Sequence, residues 1–135
     1  MSWKSAFYYP IMLFIVSGCD YTEELQGDYF FHSEGSLNQV IVTGVWFDGD
    51  PYIPCNVEAY RQYKSFIVVR QMATEVCFWE GVNPIGQKVG QLFFWIIDVE
   101  STYLHGPYSR DEFLKKGDAL GVLNEELSAI TQRVD

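Results

Sequence analysis

The sequence predicts an α+β domain that is mainly β: an antiparallel sheet of about five or six strands, with one or two helices at its C-terminal end. Three observations carry this. Aromatic residues form 17% of the chain and cluster with Val and Ile in short segments, the composition of strands. Residues 92–97 are apolar without alternation, which suits a strand covered on both faces. Capping signals and helical spacing occur only after residue 107.

In order, residues 28–33 and 39–47 read as the first two strands, separated by the turn residues Glu34, Gly35 and Ser36. Asp48-Gly49-Asp50-Pro51 closes the second, because Asp and Gly accept turn backbone and Pro offers no N–H to a ladder. Residues 57–60 and 65–71 read as a hairpin around Arg61, Gln62, Tyr63 and Lys64, and residues 76–79 as a further short strand. Residues 91–98 form the central strand, and residues 103–105 pair beside it until Gly106-Pro107 breaks the sheet. Ser109 and Glu112 fit a capping box, in which a hydroxyl and a carboxylate satisfy free N–H groups at a helix start. Tyr108 and Phe113 stand at the positions of a hydrophobic staple, Asp111 and Glu112 suit the positive end of the helix dipole, and Lys115 and Lys116 suit the negative end. Gly117 reads as the helix stop. A second helix is expected from Asn124, since Leu123, Leu127, Ile130 and Val134 recur at helical spacing.

The first residues are of another kind. Lys4 is followed by an apolar run over residues 6–16 and then by Ser17, Gly18 and Cys19. One positive residue before a short apolar stretch is the layout of a secretory signal. The run is shorter than the ~20 residues of a spanning helix, and Pro10 interrupts it. Val16-Ser17-Gly18-Cys19 resembles the lipobox of bacterial prolipoproteins. The small residues let an extended backbone enter the peptidase, and the Cys19 thiol attacks the lipid donor. Residues 1–18 are thus expected to be a cleaved lipoprotein signal, residues 19–27 a mobile polar tether carrying Glu23 and Glu24, and residues 28–135 a single globular domain. Lipid on Cys19 would hold the chain on a membrane, since more than one acyl chain anchors stably. Asp20, directly after the acceptor, resembles the signal that retains lipoproteins in the inner membrane, so the expected address is the outer face of the cytoplasmic membrane.

Charge narrows the partners. The chain carries −9, and loss of Lys4 with the signal leaves 8 basic against 18 acidic residues, or −10. Such a surface repels nucleic acid and anionic headgroups, so neither is expected as a ligand. It keeps the domain soluble, or it attracts a basic protein partner.

Through Cys19-Asp20-Tyr21 with Leu25, Gly27 and Tyr29, then residues 67–71, Trp95-Ile96-Ile97-Asp98, Gly106-Pro107 and Glu112-Phe113, the chain resembles a family of small bacterial lipoproteins known only as a domain of unknown function. The resemblance implies the address and the fold and carries no activity. The remaining cysteine pair lies outside that pattern.

With Cys19 taken by lipid, Cys55 and Cys77 remain in an oxidising compartment, where an even count reads as a disulfide; two buried free thiols are the alternative. Zinc is not expected, because His32 and His105 lack ligand spacing relative to the cysteines. Asp48 and Asp50 lack the further acids of a calcium loop. No Gly-x-Ser-x-Gly, His-Glu-x-x-His or phosphate loop is present, and no cofactor is expected. His32 reads as a half-buried strand residue, His105 has no free thiol to serve, and Asp98 and Glu100 read as solvated acids at a strand end. The expectation is therefore a non-enzymatic, membrane-anchored binding protein of inhibitor or immunity type. The second reading is a structural or enzyme-accessory envelope lipoprotein without a ligand of its own. Exposed aromatics gathered in a cleft would favour binding, and aromatics sunk in the core would favour the structural reading.

Overall fold

A computed structural model of the chain describes residues 20–44, 52–77 and 87–132. They form β1 (Tyr21–Glu24), β2 (Tyr29–Ser33), β3 (Gln39–Thr43), β4 (Val57–Tyr63), β5 (Phe66–Met72), β6 (Leu92–Asp98), β7 (Tyr103–Tyr108), α1 (Arg110–Ala119) and α2 (Asn124–Thr131). A 3-10 turn, Glu75–Cys77, follows β5. The α+β, mainly β class holds, and the strands are divided between two antiparallel sheets, β1-β2-β3 and β4-β5-β6-β7.

The apolar run of β6 is covered on both faces, as its sequence requires. Because side chains alternate across a strand, Trp95 and Ile97 point one way together with Ile67 and Val69 of β5. They meet Tyr29 and Phe31 of β2 and Ile41 of β3. Phe94, Ile96 and Val68 point the other way, into Phe113 of α1 and Leu127 and Ile130 of α2. The four-stranded sheet is thus the middle of three layers, between the small sheet and the helices. Each of these side chains contributes roughly 1.5–3 kcal/mol when fully buried.

Two points fix how the sheets lie together. At one end the Gln26 backbone N–H donates to Gln62 Oε1 (2.8 Å), and its side chain donates to the Phe66 carbonyl (3.2 Å). At the other end the Gln39 N–H donates to Asn56 Oδ1 (3.1 Å), while Asn56 and Met72 exchange both backbone bonds at 2.9 Å.

Several expectations change. Tyr21–Glu24, expected inside a mobile tether, forms β1 with Tyr21 paired to Ser33 and Glu24 to Phe30. Leu25 is buried directly behind it, so the globular part begins before residue 28. The β4–β5 turn is only Lys64-Ser65, with Lys64 at φ 49°, so Arg61, Gln62 and Tyr63 belong to the strand. A 3-10 turn occupies Glu75–Cys77, where a short strand was expected. Strand β7 continues through Gly106 and Pro107, with a register shift opposite Phe94 and Ile96. The missing Pro N–H is tolerated because β7 is an edge strand. Residues 45–51, 78–79 and Val134, to which strand, turn and helix positions were assigned, lie outside the described residues, as do residues 1–19.

Helix α1 starts as its sequence dictates. Ser109 Oγ accepts from the Glu112 N–H, and Glu112 Oε1 accepts from the Ser109 N–H, both at 3.3 Å. Gly117 does not stop it. The helix runs on to Ala119, and Gly121, at φ +86°, takes the left-handed position that ends the turn. Gly117 is instead a buried contact: a Cβ there would lie 2.5 Å from Leu127 Cδ2 of α2. Helix propensity alone makes Gly117→Ala stabilising by about 1 kcal/mol. The close approach to Leu127 reverses the sign, and Gly117→Ala should lower stability by roughly 1–3 kcal/mol, as for an overpacked core. Denaturant unfolding measures it; a stabilised variant would contradict the α1–α2 contact.

Candidate functional site

Cys19, the expected lipid acceptor, lies outside the described residues. The other two cysteines are joined: a disulfide links Cys55 and Cys77, with Cα atoms 5.5 Å apart and a sequence separation of 22. It packs against Phe30, Val40 and Val42, the outer face of the small sheet. The bridge closes the segment that carries the whole β4–β5 hairpin, and it consumes both thiols. Closing such a loop stabilises by roughly 3 kcal/mol in the chain-entropy model. In the oxidised protein Cys55 and Cys77 should show no free thiol until reduced, and Cys55→Ala should melt several degrees lower. Two titratable thiols in protein recovered from an oxidising compartment would contradict the bridge.

Of the titratable candidates, His32 lies apart on β2, while Asp98, Glu100 and His105 share the β6–β7 end of the large sheet. His32, on β2, is half-buried, with Nδ1 2.8 Å from Thr22 Oγ1 and Nε2 3.4 Å from Glu34 Oε1. Asp98 accepts from the Ser101 N–H (3.3 Å) in the β6–β7 turn, and Glu100 is exposed in that turn. His105, on β7, lies with its ring centroid 4.5 Å from that of Tyr103. Burial, and then the Lys116 ammonium, lower its pKa below the ordinary histidine value; Asp98 opposes them. His105 thus lies beside a tyrosine in surroundings that disfavour its charged form.

Two polar arrangements had no signal in the sequence. The first is at the sheet–sheet interface. Gln71 Oε1 accepts from Trp95 Nε1 (2.7 Å) and Gln87 Nε2 (2.9 Å), while Gln71 Nε2 donates to Gln87 Oε1 (2.8 Å) and the Cys55 carbonyl (3.2 Å). All three side chains are buried. An unmet polar group there would cost about 1–3 kcal/mol, so this network fixes one arrangement of β5, β6 and the segment at Gln87. The second is on the helix side. Arg70 donates to the carbonyls of Ile130 (3.0 Å) and Gln132 (2.7 Å) at the end of α2 and pairs with Glu58 (3.2 Å). Helix α2 has no basic residue in its last turn, so β5 supplies the cation that its dipole favours.

A third cluster is at the sheet edge. Glu23 Oε2 on β1 accepts from Tyr21 (3.0 Å) and from the Tyr60 hydroxyl of β4. Burial first, then the bond to the Glu23 carboxylate and its charge, push the Tyr60 pKa well above the usual phenol value. The Glu23–Tyr60 bond therefore holds β1 to β4 across the two sheets.

The described surface has two notable clefts. One, of about 540 Å³, lies between β6, the start of α1 and the end of α2, lined by Leu92, Phe94, Ser109, Arg110, Thr131 and Gln132. Ser109 is committed to the capping box and Thr131 donates to the Ser128 carbonyl (3.2 Å), so neither is poised as a nucleophile. The other, of about 310 Å³, runs along α1 past Tyr108, Glu112, Lys115 and Lys116. Of the described aromatics, Tyr29, Phe31, Phe94, Trp95 and Phe113 are buried, and the rest apart from Tyr21 and Tyr103 are partly buried. Tyr21 and Tyr103 are exposed, on separate strands of different sheets.

Fold and site together define a small three-layer β/β/α domain braced by buried polar bonds and one disulfide. Residues 26–130 match the family described as Protein of unknown function (DUF3997), and the chain belongs to that family. No curated protein and no solved structure matches it.

Proposed function

We propose that the protein is a bacterial lipoprotein, held by acyl chains on Cys19 at the outer face of the cytoplasmic membrane, and that its domain binds a basic protein partner without turnover. The observation that carries the anchor is the Val16-Ser17-Gly18-Cys19 sequence behind Lys4 and its apolar run. Supporting the address is the Cys55–Cys77 bridge, since disulfides persist outside the reducing cytoplasm. The charge of −10 after processing supports a basic partner, because complementary fields speed and select encounters.

A specific observation favours the second reading, a structural or accessory envelope lipoprotein. Among the described residues, the aromatics Tyr29, Phe31, Phe94, Trp95 and Phe113 are buried and so not available to an interface. Binding would then rest on charge more than on aromatic anchors.

One experiment separates the readings. The full chain and its Cys19→Ser variant are produced in a bacterial host and fractionated, and the membrane-bound form is used to capture envelope proteins at low and high salt. The variant should remain uncut or be released. Wild type should capture a basic protein whose retention falls as the Debye length drops from ~10 Å to ~3 Å. A Cys19→Ser protein cut and membrane-bound like wild type would end the anchor reading. Loss of every salt-sensitive partner would end the binding reading in favour of the structural one.

A further inference from the structure

Strand β1 begins at Tyr21, so one residue, Asp20, separates the ordered sheet from Cys19. At no more than ~3.6 Å per residue, the Cys19 Cα is within about 7 Å of that of Tyr21. A lipid attached there leaves the domain no freedom to stand away from the bilayer.

The register shows which end of the domain is then brought down. Tyr21 pairs with Ser33, and Ser33 with Gln39, which reaches Asn56 and through it Met72. Met72 pairs with Leu92, just after the turn that holds Lys88 and Val89. The β2–β3 turn, the start of β6 and the anchor position therefore share one end of the sandwich. Leu37 of the β2–β3 turn is 56% exposed, Val89 is 54% exposed and Tyr21 is 51% exposed. The opposite end is marked by Gln26, Phe66 and Val99, and there Tyr103, the first residue of β7, is exposed.

We propose that this anchor-side end, with Leu37 and Val89 as its apolar points and Tyr21 beside the attachment site, is a membrane-contact surface that seats the domain on the bilayer in one orientation. The proposal rests on lipidation of Cys19. The occupant is the headgroup–acyl boundary of the bilayer that holds that lipid, because the linker is too short for any other surface to come between. Leu and Tyr side chains gain from that boundary, where apolar area is buried while a phenol stays hydrated. Lys88 lies in the same turn as Val89, but Asp20 and Glu34 share this end, so the seating rests on the apolar points and the short linker and not on charge. Seating leaves the opposite end, with Tyr103, and the flanks of the sandwich as the surface open to a partner.

The test uses the full lipidated chain in vesicles of phosphatidylethanolamine and phosphatidylglycerol. The photoreactive amino acid p-benzoylphenylalanine replaces Leu37 or Val89, or, as the comparison, Tyr103 or Leu123, and mass spectrometry of the N-terminal peptide reports acylation of Cys19. The expected result is several-fold more lipid crosslinking from positions 37 and 89 than from 103 and 123, and loss of that difference when a Gly-Ser segment of about twelve residues, flexible enough to release the domain, is inserted after Asp20. Acylated protein that crosslinks equally from both ends, or not at all from 37 and 89, overturns the surface and leaves the anchor standing. Protein without acyl mass on Cys19 overturns both.

Discussion

Strands β5 and β6 must be dry on two faces at once, and every other element is placed by that need. Their apolar side chains point alternately to opposite sides, so neither a single sheet nor a single layer of helices can cover both. The β1-β2-β3 sheet closes one side and the α1–α2 pair the other. The polar residues that interrupt β5 obey the same rule. Gln71 faces the small sheet and is fully bonded there, and Arg70 faces the helices and bonds two carbonyls at the end of α2. An unpaired amide or guanidinium in either layer would cost several kcal/mol, so these two residues select the layer order as well as tolerate it.

This explains what the sequence could and could not reveal. The apolar run of β6, the capping box of Ser109 and Glu112 and the even count of Cys55 and Cys77 are local signals, and each is found where it pointed. The split into two sheets was hidden, because alternation tells which residues face a core and not which element covers them. Strand β1 was hidden for a related reason. Its Tyr-Thr-Glu-Glu sequence is polar because it is an edge with one neighbour, and what holds it is Glu23 bonded to Tyr60, a contact between residues 37 apart. Gly117 shows the same limit in a helix. Only the presence of Leu127 distinguishes a packing glycine from a stop.

The candidate site was legible to a similar degree. Its cysteines could be counted, but Gln71, Gln87 and Trp95 are drawn together from three places by the fold, and no spacing announces them. Among the described residues, His32 stands on the middle strand of the small sheet, away from Asp98, Glu100 and His105 at the β6–β7 end. What chemistry the described residues concentrate is structural: a bridge, an amide network, a helix end held by Arg70. Such a domain is suited to presenting a fixed surface, and under the proposed lipidation of Cys19 a strand that begins two residues later would fix that surface relative to the bilayer.

The doubly covered β5–β6 pair is the claim on which this account turns, and native-state hydrogen exchange of the oxidised protein tests it directly. The amides of Ile67, Val68, Val69, Trp95, Ile96 and Ile97 should exchange only through global unfolding, with free energies equal to the stability measured by denaturant, while those of the edge strand β1 exchange through smaller openings. Exchange of the β5–β6 amides at lower free energy than those of β2 and β3 would contradict it, because the middle layer would then open before the layers that are said to depend on it.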